Sequence, residues 1–199
     1  MFIVRLFIVR FHCPQGGALA FYLLTRYPEY YSGSIFSAPM CKLSDAIKPP
    51  QTLICVLQQL AKVLPTWQIT PSADILDKCF KRQDVFELAK RSPISIRRKP
   101  RLATAAEMLR ITLDIEANLE KFNLPFLILH GENDKVTDPE CSREMFKRAS
   151  SNDKTLKIYP TAWHCLLSGE TFEIVEQVKA DIKDWIDKHV ESIEVTIPN

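Results

Sequence analysis

Three observations predict an α/β fold: a parallel sheet of about four strands with helices on both faces. Short runs of β-branched and aromatic residues alternate with amphipathic helical stretches along the chain. The runs at 34–38 and 125–130 are short and largely apolar, as strands buried on both faces require. The chain has 199 residues, 46% of them hydrophobic, enough to bury one core.

Residues 2–11, with the repeated FIVR, read as the first strand. A helix over 16–27 opens at Gly16-Gly17 and ends before Pro28. Ser34-Ile35-Phe36-Ser37-Ala38 is the second strand, stopped by Pro39. From Cys41 to about Lys99 the pattern is helical but broken by Pro65, Pro71 and Pro93. There Leu53, Val56, Leu57, Leu60 and Leu64 form the expected apolar stripe. This segment reads as an inserted helical cap over 41–100. It separates core elements in 1–40 from a second core part in 101–190, with 191–199 as a tail. A helix over 101–120 carries Leu102, Ala105, Leu109 and Leu113 on one stripe. Pro125–His130 is a buried strand that breaks at Gly131, and a helix follows from near Pro139. Thr155–Tyr159 is the last strand. The final helix runs from about Glu170 to Asp187, with Val175, Val178, Ile182 and Ile186 on one face.

Lys and Arg number 26 against 24 Asp and Glu, so a strongly basic nucleic-acid binder is excluded as the default. Six cysteines occur without a CxxC pair or a zinc-site spacing, so neither metal nor cofactor is implied. Scattered cysteines read as reduced, buried thiols, hence a cytoplasmic protein. The apolar start is interrupted by Arg5 and Arg10, so neither a spanning helix nor a signal peptide is expected. A peripheral membrane contact by this start stays open.

In α/β sheets, chemistry sits at the carboxyl ends of strands. Three such ends carry polar residues: His12-Cys13-Pro14-Gln15, Asp134 and His164. Acid before base, each on its own strand-end loop, is the chain order of an α/β-hydrolase triad. The stretches FSAPMCKLSDAIKPP, LPTWQITPSADILD, KPRLATAAEMLR, LHGENDKVTDPE and ASSNDKTLKIYPTAWHCLLSGE resemble the monoacylglycerol-lipase-like branch of the α/β-hydrolases. That branch includes lysophospholipase-type and caffeoylshikimate-esterase-type members, and the resemblance covers about residues 16–188. It implies the C-terminal part of an α/β-hydrolase fold, hydrolysis of carboxylic esters, and a small ester or lipid as substrate. It places the triad acid on Asp134, the triad base on His164 and an oxyanion donor on the Gln15 N–H.

The family's nucleophile elbow, G-x-S-x-G-G, falls on His12-Cys13-Pro14-Gln15-Gly16-Gly17. Pro14 thus stands at the nucleophile position without a nucleophilic atom, and its ring fixes φ near −65°. His12 replaces the first glycine. Weak or absent activity is the expectation. Because the family has further strands before the elbow, the first strand would become a sheet edge. Self-association through residues 2–11, a non-catalytic interaction role, and a fragment of a longer hydrolase are the competing expectations.

Each candidate has a plainer alternative. Asp134 also fits a turn aspartate, and Asp138 competes as the acid but fits a helix N-cap before Pro139. His164 also fits a loop histidine packed beside Trp163. His130 reads as structural and His189 as solvent-facing beyond the last helix. His12 is disfavoured as a substitute base. Cys13 is a substitute nucleophile only if it turns toward His164, and otherwise a small buried hydrophobe. The basic run 97–101 reads as a solvated loop, with a lipid-surface contact as the alternative.

Overall fold

The computed structural model describes residues 6–10, 14–42, 50–69, 75–93 and 99–194 (backbone alone at 6–10, 14–15 and 191–194). His12, Cys13, the first FIVR repeat and Arg97-Arg98 lie outside the described residues. Four parallel strands, β1 (Leu6–Arg10), β2 (Tyr31–Ser37), β3 (Phe126–Gly131) and β4 (Lys154–Tyr159), form one sheet in chain order. The helices among the described residues are α1 (Pro14–Arg26), α2 (Gln51–Val63), α3 (Leu76–Cys79), α4 (Gln83–Arg91), α5 (Leu102–Ala117), α6 (Pro139–Arg148) and α7 (Phe172–Glu194).

Period-two alternation in the central strands sends side chains to two cores. Phe36, Phe126 and Ile128 pack with Phe21 and Leu24 of α1, Ile115 of α5, and Met145 of α6. Ile35, Leu127 and Leu129 point the other way and pack with Val178, Ile182 and Trp185 of α7. Both faces are therefore covered, which explains the largely apolar runs. Phe21 stacks on Phe122 with centroids 4.8 Å apart, and Phe122 meets Phe126 edge-on at 5.4 Å.

The register of β3 and β4 positions the site. The two strands pair from Phe126↔Lys154 to Gly131↔Tyr159, so both end at the same level. The loops that follow them must emerge side by side. Among the described residues, β1 lies at one edge of the sheet.

Several local expectations change. Helix α1 begins at Pro14 rather than Gly16, because a proline suits the first helical position, where its missing N–H is not needed. In α2 the stripe is rotated: Leu53 is 45% and Val56 60% exposed, while Ile54 and Ala61 are buried. This helix is apolar around most of its circumference, so packing against α5, not its own pattern, chooses the buried face. The helix expected over 101–120 ends at Ala117. Asn118 leaves helical geometry and donates its amide to the Asp114 carbonyl, before a 3₁₀ turn at Leu119–Lys121. His189 is not solvent-facing. It lies within α7, buried, stacked on Trp185, with Nδ1 2.6 Å from the Trp185 carbonyl and Nε2 3.0 Å from Asp153. No helix among the described residues is long and apolar enough to cross a membrane.

Candidate functional site

Gly131 ends β3, and the loop after β4 passes directly over it. A Cβ at this position would stand 2.3 Å from the Trp163 carbonyl oxygen and 2.4 Å from that of Ala162. Only a residue without a side chain lets the two loops close to this distance. Backbone bonds then join them: Glu132 N–H to the Tyr159 carbonyl at 2.9 Å, and Asn133 N–H to the Ala162 carbonyl at 3.0 Å. The close approach brings Asp134 and His164 together.

Asp134 starts a turn of its own. Its Oδ1 accepts from the N–H groups of Val136 at 2.7 Å and Thr137 at 3.0 Å, a turn chemistry favoured by aspartate. Its Oδ2 accepts from the Thr137 hydroxyl at 2.9 Å and from His164 Nδ1–H at 2.7 Å. Oδ2 also lies 3.2 Å from His130 Nε2. Burial alone would raise this carboxyl, but hydrogen bonds from His130 and His164, together with electrostatic attraction toward the two rings, hold it well below the usual carboxylate range.

The tautomers follow from the acceptors. His164 Nδ1 faces a carboxylate oxygen, so it carries the hydrogen, and Nε2 of the neutral ring is left with its lone pair. His130 Nε2 faces both Asp134 Oδ2 and the Thr137 carbonyl, the latter at 3.2 Å, so its hydrogen sits there. The neutral His130 Nδ1 then accepts from the Ser142 hydroxyl at 2.7 Å. His130 is fully buried and structural, as expected, but it also grips the same carboxylate as His164.

Asp138 caps α6: its side chain accepts from the Glu140 N–H at 3.0 Å, with Pro139 at the first helical position. It takes no part in the Asp134 cluster. Trp163 is held by its N–H, which donates to the buried Glu170 carboxylate at 2.5 Å.

At the β1 end of the sheet, Pro14 and Gln15 form the start of α1. Gln15 lies in the first turn, where backbone N–H groups have no partner within the helix. Gly17 packs against Pro39, which follows β2, with a Cβ there 3.0 Å from the Pro39 Cβ. Ala38, just before it, has φ 45°. This left-handed conformation costs an alanine roughly 1–2 kcal/mol. Ala38 is held there by its N–H on the Leu129 carbonyl at 2.8 Å.

These features match a known family. The family model for serine aminopeptidase S33 matches residues 14–171. The chain belongs to this family of α/β-hydrolases. Caffeoylshikimate esterase of Arabidopsis thaliana is 34% identical over 163 residues, covering 82% of this chain and 49% of that protein. Human monoglyceride lipase is 26% identical over 173 residues, covering 86% of this chain and 55% of the relative. The chain thus spans about half the length of these curated relatives. A soluble variant of monoglyceride lipase from Saccharomyces cerevisiae superposes with a TM-score of 0.77 at 24% identity, over 92% of this chain and 64% of that one. Monoacylglycerol lipase from Paleococcus ferrophilus gives 0.78 at 21% identity, over 92% and 68%. The shared fold is that of the α/β-hydrolases.

Two members of the cluster escape a reading of the sequence. Thr137 and the second grip of His130 have no pattern of their own. The turn signal at Asp134 is the one hint, because an aspartate three residues before a threonine reaches that threonine's N–H in such turns.

Proposed function

We propose that this chain is a monoacylglycerol-lipase-like hydrolase in lineage, with Asp134 and His164 as its acid and base and with slow ester hydrolysis. The observation that carries the reading is the buried 2.7 Å bond between Asp134 Oδ2 and His164 Nδ1, which leaves His164 Nε2 to take a proton. Carboxylic esters of glycerol, lysophospholipids or hydroxycinnamoyl groups are the proposed substrates, in keeping with the names of the relatives. The Gln15 N–H, in the first turn of α1, is the proposed oxyanion donor. Residues 41–100 are proposed to cap the site.

Slow turnover rests on Pro14. An activated nucleophile needs a hydroxyl or thiol beside the base, and proline supplies neither. Among the described residues, the hydroxyl bonded to His164 is that of Thr137, at 3.3 Å from Nδ1, on the ring edge already committed to Asp134. The proposed location is cytoplasmic, in keeping with free thiols at Cys41, Cys55, Cys79, Cys141 and Cys165. A peripheral lipid contact is part of the reading, supported by the exposed Leu53, Val56, Val63, Trp67 and Ile69 on and after α2.

The test is hydrolysis of a short-chain p-nitrophenyl ester by the purified chain and by His164→Ala. The expected native rate lies close to background. A native rate typical of esterases that vanishes in His164→Ala would contradict slow turnover and keep the role of His164. A second reading, self-association through residues 2–11, is favoured by the edge position of β1. A monodisperse monomer in size-exclusion chromatography would count against it.

A further inference from the structure

The loop carrying His164 is held on its outer side by the segment around α3. Cys165 N–H donates to the Cys79 carbonyl at 3.1 Å. Lys81 and Arg82 N–H groups both donate to the Gly169 carbonyl at 2.9 Å, and Lys81 Nζ donates to the Thr161 carbonyl at 2.8 Å. The two sides of the loop are therefore fixed against Cys79 and the residues after it. A backbone bond of 3.1 Å keeps the Cα atoms of Cys79 and Cys165 within about 7 Å by bond lengths alone. Cys79 Sγ–H donates to the Ile75 carbonyl at 3.3 Å, and the Cys165 thiol stands near enough to act as a donor toward the Cys79 sulfur. Disulfides span Cα separations of about 4.4–6.8 Å.

We propose that Cys79 and Cys165 form a redox-active thiol pair that a small-molecule disulfide oxidises to an intramolecular bond, tying α3 to the His164 loop. Access assigns the roles. Cys79 is partly exposed and Cys165 is buried. The Cys79 thiolate attacks one sulfur of the external disulfide, forming a mixed disulfide and releasing one thiolate. The Cys165 sulfur, having given up its proton, then attacks Sγ of Cys79 and expels the second thiolate. Two protein thiols are oxidised, one external disulfide is reduced to two thiols, and the two protein protons end on those thiols. The hydrogen bond from Cys165 lowers the Cys79 thiol below its ordinary value, aided by His164 and against the effect of burial. The same bond, together with burial, raises Cys165.

A second pair supplies an internal control. Cys41 donates its thiol to the Cys141 carbonyl at 3.3 Å, but both lie inside the phenylalanine core. Both are buried, and burial pushes the Cys41 thiol up, so this pair lacks access and Cys41 lacks thiolate character. Cys55 is exposed on α2 and takes a mixed disulfide only. The inference does not depend on ester hydrolysis.

The experiment incubates the full chain with oxidised glutathione, blocks remaining thiols with iodoacetamide, and maps peptides by mass spectrometry without reduction. The expected main intramolecular product links the peptides of Cys79 and Cys165 and disappears with dithiothreitol. Cys165→Ser leaves glutathione on Cys79, and Cys79→Ser leaves Cys165 unmodified. The native map stands without the variants. A native map showing glutathione on Cys79 with no link, or a link between Cys41 and Cys141 in its place, overturns the proposal.

Discussion

At the ends of β3 and β4, five donors converge on one buried carboxylate. At the start of α1, a proline opens the helix at the position proposed above for the nucleophile. The first region is held by two strands in register, a glycine that admits a close loop, and a turn whose own backbone bonds its aspartate. None of these bonds involves α1. The proposed acid–base pair of Asp134 and His164 is thus built locally, from its own strand ends and turn. This independence means that the Asp134–His164 geometry serves the fold whatever stands at the start of α1.

The largest expected effect comes from supplying the missing atom. On the proposed alignment, His12→Gly with Pro14→Ser supplies the glycine and hydroxyl of the family's elbow. Its rate on a p-nitrophenyl ester is expected to rise roughly 10³-fold over the native chain, given what nucleophile loss costs elsewhere. No increase in a folded variant would mean that the two regions differ by more than the nucleophile.

Breaking the other region should cost stability. Asp134→Ala leaves His130, His164 and two backbone N–H groups facing a buried gap. A loss of about 3–5 kcal/mol is expected in urea unfolding. A loss below about 1 kcal/mol would show that the cluster contributes little to the fold. Gly131→Ala drives a methyl group into the Ala162 and Trp163 carbonyls, and about 2–3 kcal/mol is expected from thermal unfolding. A neutral Gly131→Ala would place the two loops farther apart than described.

The smallest effect is a pH dependence. The folded Asp134 carboxyl titrates below its unfolded value of about 3.9, so its contribution is complete above about pH 5. That contribution declines as pH falls through the unfolded value and is gone below the folded one. Urea midpoints at pH 5 and pH 3 should differ less for Asp134→Asn than for the native chain. Equal differences would remove the linkage.

Much of this was legible in the sequence, for physical reasons that differ by element. β3 is a run of apolar residues between a proline and a glycine, and it pairs on both sides, so pattern and environment agree. The Asp138 cap is a local interaction, written in adjacent residues. Asp134 and His164 are brought together because each follows a strand whose end is visible. The buried face of α2 was not legible, because the helix is apolar on more than one side and α5 decides. His189 was not, because its partners, Trp185 apart, lie far along the chain at Asp153. The grip of His130 on Asp134 was hidden in the same way: a turn folds back over the strand end, and spacing alone does not show which ring nitrogen it meets.

The most direct measurement is covalent trapping with a fluorophosphonate, which phosphonylates an activated serine, followed by mass spectrometry of the intact chain and its peptides. The native chain should remain unmodified near His164, while His12→Gly/Pro14→Ser should carry one adduct at residue 14. A single adduct on the native chain that vanishes in His164→Ala would contradict this, because it would reveal a working nucleophile beside the imidazole.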